Sequence, residues 1–172
     1  MTILRIALIA TAAVAALALT AVLLHREQRV ERSVDIAAPP AKVWAALTDF
    51  AAYPEWNPFI RQLSGTARTG ATLTVEIHPA GGKAMTFSPT LLAADPGREL
   101  RWLGRVVAPG LLDGEHAFTL EAIPGGTRLT QSEDFSGVLV PFVGSALDVG
   151  DDFAAMNAAI RDRVEAGASI TR

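Results

Sequence analysis

Three side chains are placed to do chemistry together: His116, Gln131 and Glu133. In His116-Ala117-Phe118-Thr119-Leu120-Glu121 the residues alternate about His116, Phe118 and Leu120, and in residues 128–135 they alternate about Leu129, Gln131, Glu133 and Phe135. A period of two puts every second residue of a strand on one face. His116 therefore shares a face with Phe118 and Leu120, while Gln131 and Glu133 share one with Leu129 and Phe135. An imidazole, an amide and a carboxylate on the apolar side of a sheet have two readings. In the functional one they orient a ligand, or His116 and Glu133 act as general acid and base, because burial and a partner tune both groups. In the structural one Glu133 bridges to an arginine and His116 bonds near a strand end. Glu133 is the sharpest of the three, since an unpaired carboxylate inside a sheet is costly.

Other chemistries lack their residues. The chain has no cysteine, which excludes disulfides, thiolate catalysis and Cys-based zinc sites. Its three histidines, His25, His78 and His116, have no metal-ligand spacing, and His78 reads as a surface strand end. No phosphate-cradling glycine loop and no Gly-x-Ser-x-Gly elbow occurs, so the sequence calls for no nucleotide or other cofactor. A mildly acidic domain without a Lys/Arg run is a poor partner for nucleic acid. Asp151 and Asp152 read as complements to a helix dipole. Trp44, Trp56 and Trp102 read first as core. Trp56-Asn57-Pro58, with Phe59, is the exception, because it falls in a loop suited to the mouth of a cavity. The expected ligand-contacting set is His116, Phe118, Gln131, Glu133, Trp56 and Trp102, with no catalytic or metal-binding residue assigned.

These residues need a scaffold. Residues 29–37 alternate as a half-buried strand, with Arg32 interrupting the apolar side, and Pro39-Pro40 then opens a helix carrying Val43, Trp44 and Leu47. About six strands follow at short spacing, separated by Gly81-Gly82, Asp95-Pro96-Gly97 and Pro124-Gly125-Gly126. The segment 106–114 reads either as an apolar gate or as a plain hairpin connection. Val149, Phe153, Met156, Ile160 and Val164 then mark one face of a long helix over 143–168. The expected class is α+β: a curved antiparallel sheet wrapped around a long C-terminal helix.

Ahead of the domain, residues 6–24 are 19 positions without a charge, roughly 28 Å as a helix. They predict a single-pass N-terminal transmembrane helix within a 1–25 anchor, and hence a membrane location for the 29–170 domain. Arg26, Arg29 and Arg32 lean the domain toward the cytoplasmic side. The rival is a cleaved signal with Ala16-Leu17-Ala18 at its cleavage site, which would leave an apolar stump.

Four stretches carry a family likeness: Val34-Asp35-Ile36-Ala37-Ala38-Pro39 with Val43-Trp44 and Leu47-Thr48-Asp49-Phe50; Tyr53-Pro54-Glu55-Trp56-Asn57-Pro58; Gly125-Gly126-Thr127-Arg128-Leu129-Thr130 into Glu133-Asp134-Phe135-Ser136-Gly137; and Phe153-Ala154-Ala155-Met156-Asn157. With the order of elements, residues 29–168 resemble the START-like helix-grip superfamily of polyketide cyclases and lipid-transfer domains. The resemblance implies an internal apolar cavity and, for function, a membrane-anchored binder or transporter of a lipid-like or polyketide-like molecule. The alternatives are a cyclase or dehydratase using His116 and Glu133, and a membrane-tethered interaction module. Fold alone does not choose among them.

Overall fold

The turn signals and the alternating strands between them decide the architecture. The computed structural model describes residues 2–169. Helix α1 (Thr2–Leu24) leads into β1 (Arg26–Ile36), α2 (Pro40–Thr48), a 3-10 turn and the short α3 (Tyr53–Trp56). Strands β2 (Ile60–Ser64), β3 (Thr74–Ile77), β4 (Met85–Phe87), β5 (Thr90–Asp95), β6 (Glu99–Val106), β7 (Leu112–Ile123) and β8 (Gly126–Gly137) follow. The chain ends with α4 (Val140–Val143), a second 3-10 turn and α5 (Gly150–Ser169). The strands form a five-stranded sheet ordered β1-β8-β7-β6-β5 and a three-stranded sheet β2-β3-β4, both antiparallel. A bridge between Thr72 and Thr90 links the sheets.

The expected stripe of α5 forms the centre of the core. Phe153, Met156 and Ile160 are fully enclosed, and Val149 and Val164 are buried at its ends. They pack on Ile36, Leu100, Phe118 and Leu129 from the sheet and on Val43 and Leu47 from α2. The helix begins at Gly150, not near residue 143, because Gly144 takes φ 61° and ψ −136°, a conformation that ends α4 and turns the chain. Pro39 and Pro40 open α2 as N-cap and first helical residue, as expected from proline's missing N–H. Arg32 lies on the inward side of β1, an edge strand of the sheet, and its guanidinium passes over Gly150, where a Cβ would collide with it.

Two strands escape the alternation rule. In β2, a register shift between Ile60 and Gln62 puts the buried residues Ile60 and Leu63 three apart. A bulge of this kind breaks the period of two that reveals a strand in sequence. In β5 a shift falls between Leu91 and Ala93, both buried, and the run Leu91-Leu92-Ala93-Ala94 is apolar throughout, so its sequence shows no alternation. β1 also begins earlier than its pattern suggests, at Arg26, because its ladder with β8 runs to Gly137.

The expectation of a transmembrane helix is corrected. Residues 2–24 are helical, but among the described residues no helix is long and apolar enough to cross a membrane. The expected outer boundaries at residues 1 and 170 lie outside the described residues.

Local capping explains the α3 region. Asn57 is fully buried, and its Oδ1 accepts the N–H groups of Phe59 (2.9 Å) and Ile60 (2.8 Å), which turns the chain into β2. The buried Tyr53 hydroxyl donates to the Leu47 carbonyl at 2.8 Å, and burial pushes its phenol well above the ordinary tyrosine range. Asn57→Ala should cost about 2 kcal/mol, the desolvation of two stranded N–H groups, read as a lower urea midpoint. Segment 106–114 is the β6–β7 hairpin, and in it the exposed Val107 holds φ 68°, a rare state for a β-branched residue. Val107→Gly should therefore raise stability by about 1 kcal/mol in the same measurement.

Candidate binding cavity

Helix α5 does not fill the whole concave face of the sheet. At its N-terminal end a cavity of about 500 Å³ remains, bounded by β3, β4, β6, β7, β8, the 144–147 turn and the start of α5. That volume falls in the range of sites for small organic ligands. Its walls are mainly aromatic and aliphatic, with Phe59, Phe87, Trp102, Phe135 and Phe153 among them. Polar side chains are few: Thr86, Arg105, His116 and Glu133.

Strand register explains how they meet. Trp102 on β6 lies opposite His116 on β7, and His116 lies opposite Glu133 on β8. All three point into the concave face, so one row across the sheet reads indole, imidazole, carboxylate. His116 Nδ1 and Glu133 Oε2 are 2.5 Å apart. Trp102 stacks on the imidazole at 4.7 Å with planes 5° apart. Phe118 and Phe153 enclose its edges, with ring centres 4.8 and 5.1 Å away. His116 is 3 % exposed, so its ring has a fixed orientation.

Proton bookkeeping follows from this geometry. An ionised Glu133 can only accept, so Nδ1 must carry the proton of that bond. In the neutral imidazole Nε2 is then an acceptor, and the Gln131 amide nitrogen lies 3.2 Å from it. The same nitrogen also donates to Met156 Sδ at 3.5 Å. Gln131 Oε1 is buried without a partner among the described residues. A half-turn of the amide would bring that oxygen to an imidazolium N–H, so Gln131 suits either charge state of His116. Glu133 meets His116 rather than an arginine, and His116 lies mid-strand rather than at a strand end. The structural reading drawn from sequence had those partners wrong.

The six sequence-derived contacts separate into groups. Trp102, His116 and Glu133 line the cavity. Gln131 and Phe118 are fully buried just behind it, against His116. Trp56 lies elsewhere: it packs on Tyr53 at 5.0 Å, because α3 turns it toward the α2 side, and its neighbour Phe59 reaches the cavity instead. His78 is at a strand end beside Glu76, 2.6 Å away. Asp152 does more than face a helix dipole, since its Oδ1 accepts the Ala80 N–H at 3.0 Å and ties the β3–β4 turn to α5. Sequence reasoning passed over Gly104 and Gly114, which also line the cavity and lie opposite each other on β6 and β7. Isolated glycines inside strand patterns were the available signal, since they mark close approach to backbone.

Comparison with known proteins is decisive at the level of family. The model of the polyketide cyclase / dehydrase and lipid transport family matches residues 27–167. The chain belongs to that family. No curated protein matches it. Among solved structures, Ara h 8.0201 is similar at 20 % identity and TM-score 0.61, over 82 % of this chain and 99 % of that one. The Zhui aromatase/cyclase from Streptomyces sp. R1128 is similar at 19 % identity and TM-score 0.62, over 81 % and 94 %. Norcoclaurine synthase from Thalictrum flavum, solved with dopamine and hydroxybenzaldehyde, is similar at 14 % identity and TM-score 0.63, over 83 % and 88 %. At these identities the likeness shows the helix-grip fold.

The His116–Glu133 pair makes a stability test. His116→Phe preserves the ring packing but strands the carboxylate, and should destabilise by about 3 kcal/mol. The double variant His116→Phe/Glu133→Leu should recover most of that loss in chemical denaturation, because no half of a buried pair is left behind.

Proposed function

We propose that this chain binds an apolar small molecule in the cavity between the sheet and the N-terminal end of α5. The observation carrying this reading is the cavity itself: about 500 Å³, lined mainly by aromatic and aliphatic groups, inside a domain whose remaining core is closely packed. An empty space of that size forfeits dispersion contacts and hydrophobic burial that a ligand would restore. Membership of a family described by polyketide cyclases, dehydrases and lipid transport supports a lipid-like or polyketide-like ligand. Trp102 and Phe153 would supply apolar contact and Glu133 a polar anchor, with Phe118 and Gln131 supporting His116 from behind. A cavity of this kind counts against an assembly module, for which a filled core is expected.

An enzymatic reading rests on one specific observation, the His116–Glu133 hydrogen bond on the cavity wall. A carboxylate and an imidazole in contact can pass a proton to and from a bound molecule. Native mass spectrometry of the full chain from its host separates the two readings. A co-purified apolar mass that stays unchanged on incubation supports binding; conversion by the wild type and not by Glu133→Gln supports catalysis. A clean apo mass, with no uptake of a fluorescent fatty acid, would overturn both.

The binding reading also predicts a blocking variant. Ala146 lines the cavity from the exposed 144–147 turn. Ala146→Trp should weaken binding of a fluorescent fatty acid at least tenfold while leaving the thermal midpoint within a few degrees, checked by fluorescence titration and calorimetry.

A further inference from the structure

Among the described residues, every large apolar side chain left exposed falls on α1 or near the cavity mouth. Near the mouth they are Met85 on β4, Val106 and Val107 at the β6–β7 hairpin, and Leu139 and Phe142 in and beside α4. Met85 and Val106 also line the cavity, so they mark its rim. Strand register gathers these groups at one end of the sheet. Val106 is opposite Leu112, Asp113 is opposite Ser136, and Arg26 is opposite Gly137. The end of β6, the start of β7, the end of β8 and the start of β1 therefore lie side by side, and α1 leaves the domain from that same end.

The two loops at this end form one platform. The Val138 and Leu139 N–H groups donate to the Gly110 and Leu111 carbonyls at 3.1 and 2.9 Å. Gly137, at φ 131°, permits this approach, since a Cβ there would overlap the Leu111 carbonyl oxygen. Val107 stands on the platform 90 % exposed, in a backbone state rare for a β-branched residue. It is strained and buries almost nothing within the domain, so the fold does not account for it. Such strain collects at functional contacts.

Helix α1 identifies the kind of partner. Ile6, Ile9, Val14, Leu19, Val22 and Leu23 are all exposed, and at about 100° per residue they point round the full circle of the helix. A groove or a second copy covers one side of a helix, whereas lipid covers every side. The Thr20 hydroxyl donates to the Ala16 carbonyl at 2.9 Å, which satisfies it in apolar surroundings. At the helix end the Arg26 guanidinium donates to the Leu23 and His25 carbonyls, both at 2.8 Å, so a cation sits where apolar surface gives way to the domain. A bilayer presents its phosphates at that boundary.

We propose that the mouth end of the domain docks on a lipid bilayer surface, with Val107 and Phe142 sunk into the boundary between headgroups and acyl chains and α1 in the same layer. No spanning helix is needed, since burial of an apolar face by about 5–10 Å holds a protein at a bilayer surface. The docking stands apart from the ligand reading; where that reading also holds, the cavity exchanges its ligand with the bilayer rather than with water.

The chain has no cysteine, so single introduced cysteines can carry an environment-sensitive NBD label. Val107→Cys, Phe142→Cys and Ala122→Cys, an exposed control at the opposite end of β7, are read on the full chain with phosphatidylcholine/phosphatidylglycerol vesicles. Emission at positions 107 and 142 should shift to the blue and be quenched by acyl-brominated lipid, about threefold or more beyond the response at 122. An equal response at 122, or none at 107 and 142 while the chain floats with the vesicles through α1, overturns the docking. So does absence of any vesicle binding. A blue shift without vesicles that grows with protein concentration assigns the face to a second copy and overturns it too. As a second measurement, Val107→Asp/Phe142→Asp should slow transfer of a fluorescent fatty acid from vesicles about tenfold while leaving its affinity in solution within about twofold. Transfer as fast as in the wild type overturns the docking. No uptake of the fatty acid by the wild type in solution overturns the ligand reading alone, and the labels then decide the docking.

Discussion

A sheet with one apolar face must cover that face, and the apolar stripe of α5 is what covers it here. Val149, Phe153, Met156, Ile160 and Val164 are all buried against the concave side. Each enclosed side chain of this size contributes about 1.5–3 kcal/mol relative to exposure. The helix does not cover the sheet evenly along its whole length. Where they fit, from Met156 onward, side chains interdigitate. Where they separate, near Val149 and Phe153, the cavity remains. Core and site are therefore two ends of one packing interface, and Phe153 belongs to both.

The polar row illustrates how a packed fold holds a reactive group. His116 is gripped by Trp102 on one face and by Phe118 and Phe153 at its edges, and Gln131 and Glu133 reach its two nitrogens. Only Phe118, two residues along β7, is local in sequence; Phe153 comes from α5, and Trp102, Gln131 and Glu133 meet His116 because antiparallel register sets β6, β7 and β8 side by side with inward residues aligned. Such a row has little freedom: altering one member leaves a buried polar group without a partner, which costs more than the bond contributes.

Polar groups at the cavity mouth are also tied to the scaffold. Asp152 holds the β3–β4 turn, and Arg105 and Asp113 pair at 3.8 Å where the β6–β7 hairpin departs. Half-exposed pairs of this sort add little stability, but they fix which strands frame the opening. The 107–111 connection between them carries the strained Val107, so the rim is less well optimised than the core beneath it.

Much of this was legible in the sequence because periodicity is a local record of burial. The α5 stripe, the inward set His116, Phe118, Leu129, Gln131 and Glu133, the proline start of α2 and the α+β helix-grip class could all be read from spacing, turn residues and family likeness. β2 could not, because its bulge erases the period, nor could β5, because Leu91-Leu92-Ala93-Ala94 is apolar on both faces. The uncharged run 6–24 looked like a membrane span, yet among the described residues no helix meets that requirement. Alternation assigns a face but not a neighbour, so the pairing of Glu133 with His116 and the departure of Trp56 from the cavity were beyond it. The opposed Gly104 and Gly114 are ten positions apart in the chain and adjacent only through strand register. Sequence determines which side of each strand is wet or dry; the tertiary structure alone decides which residues meet across strands, because register and curvature are properties of the assembled sheet.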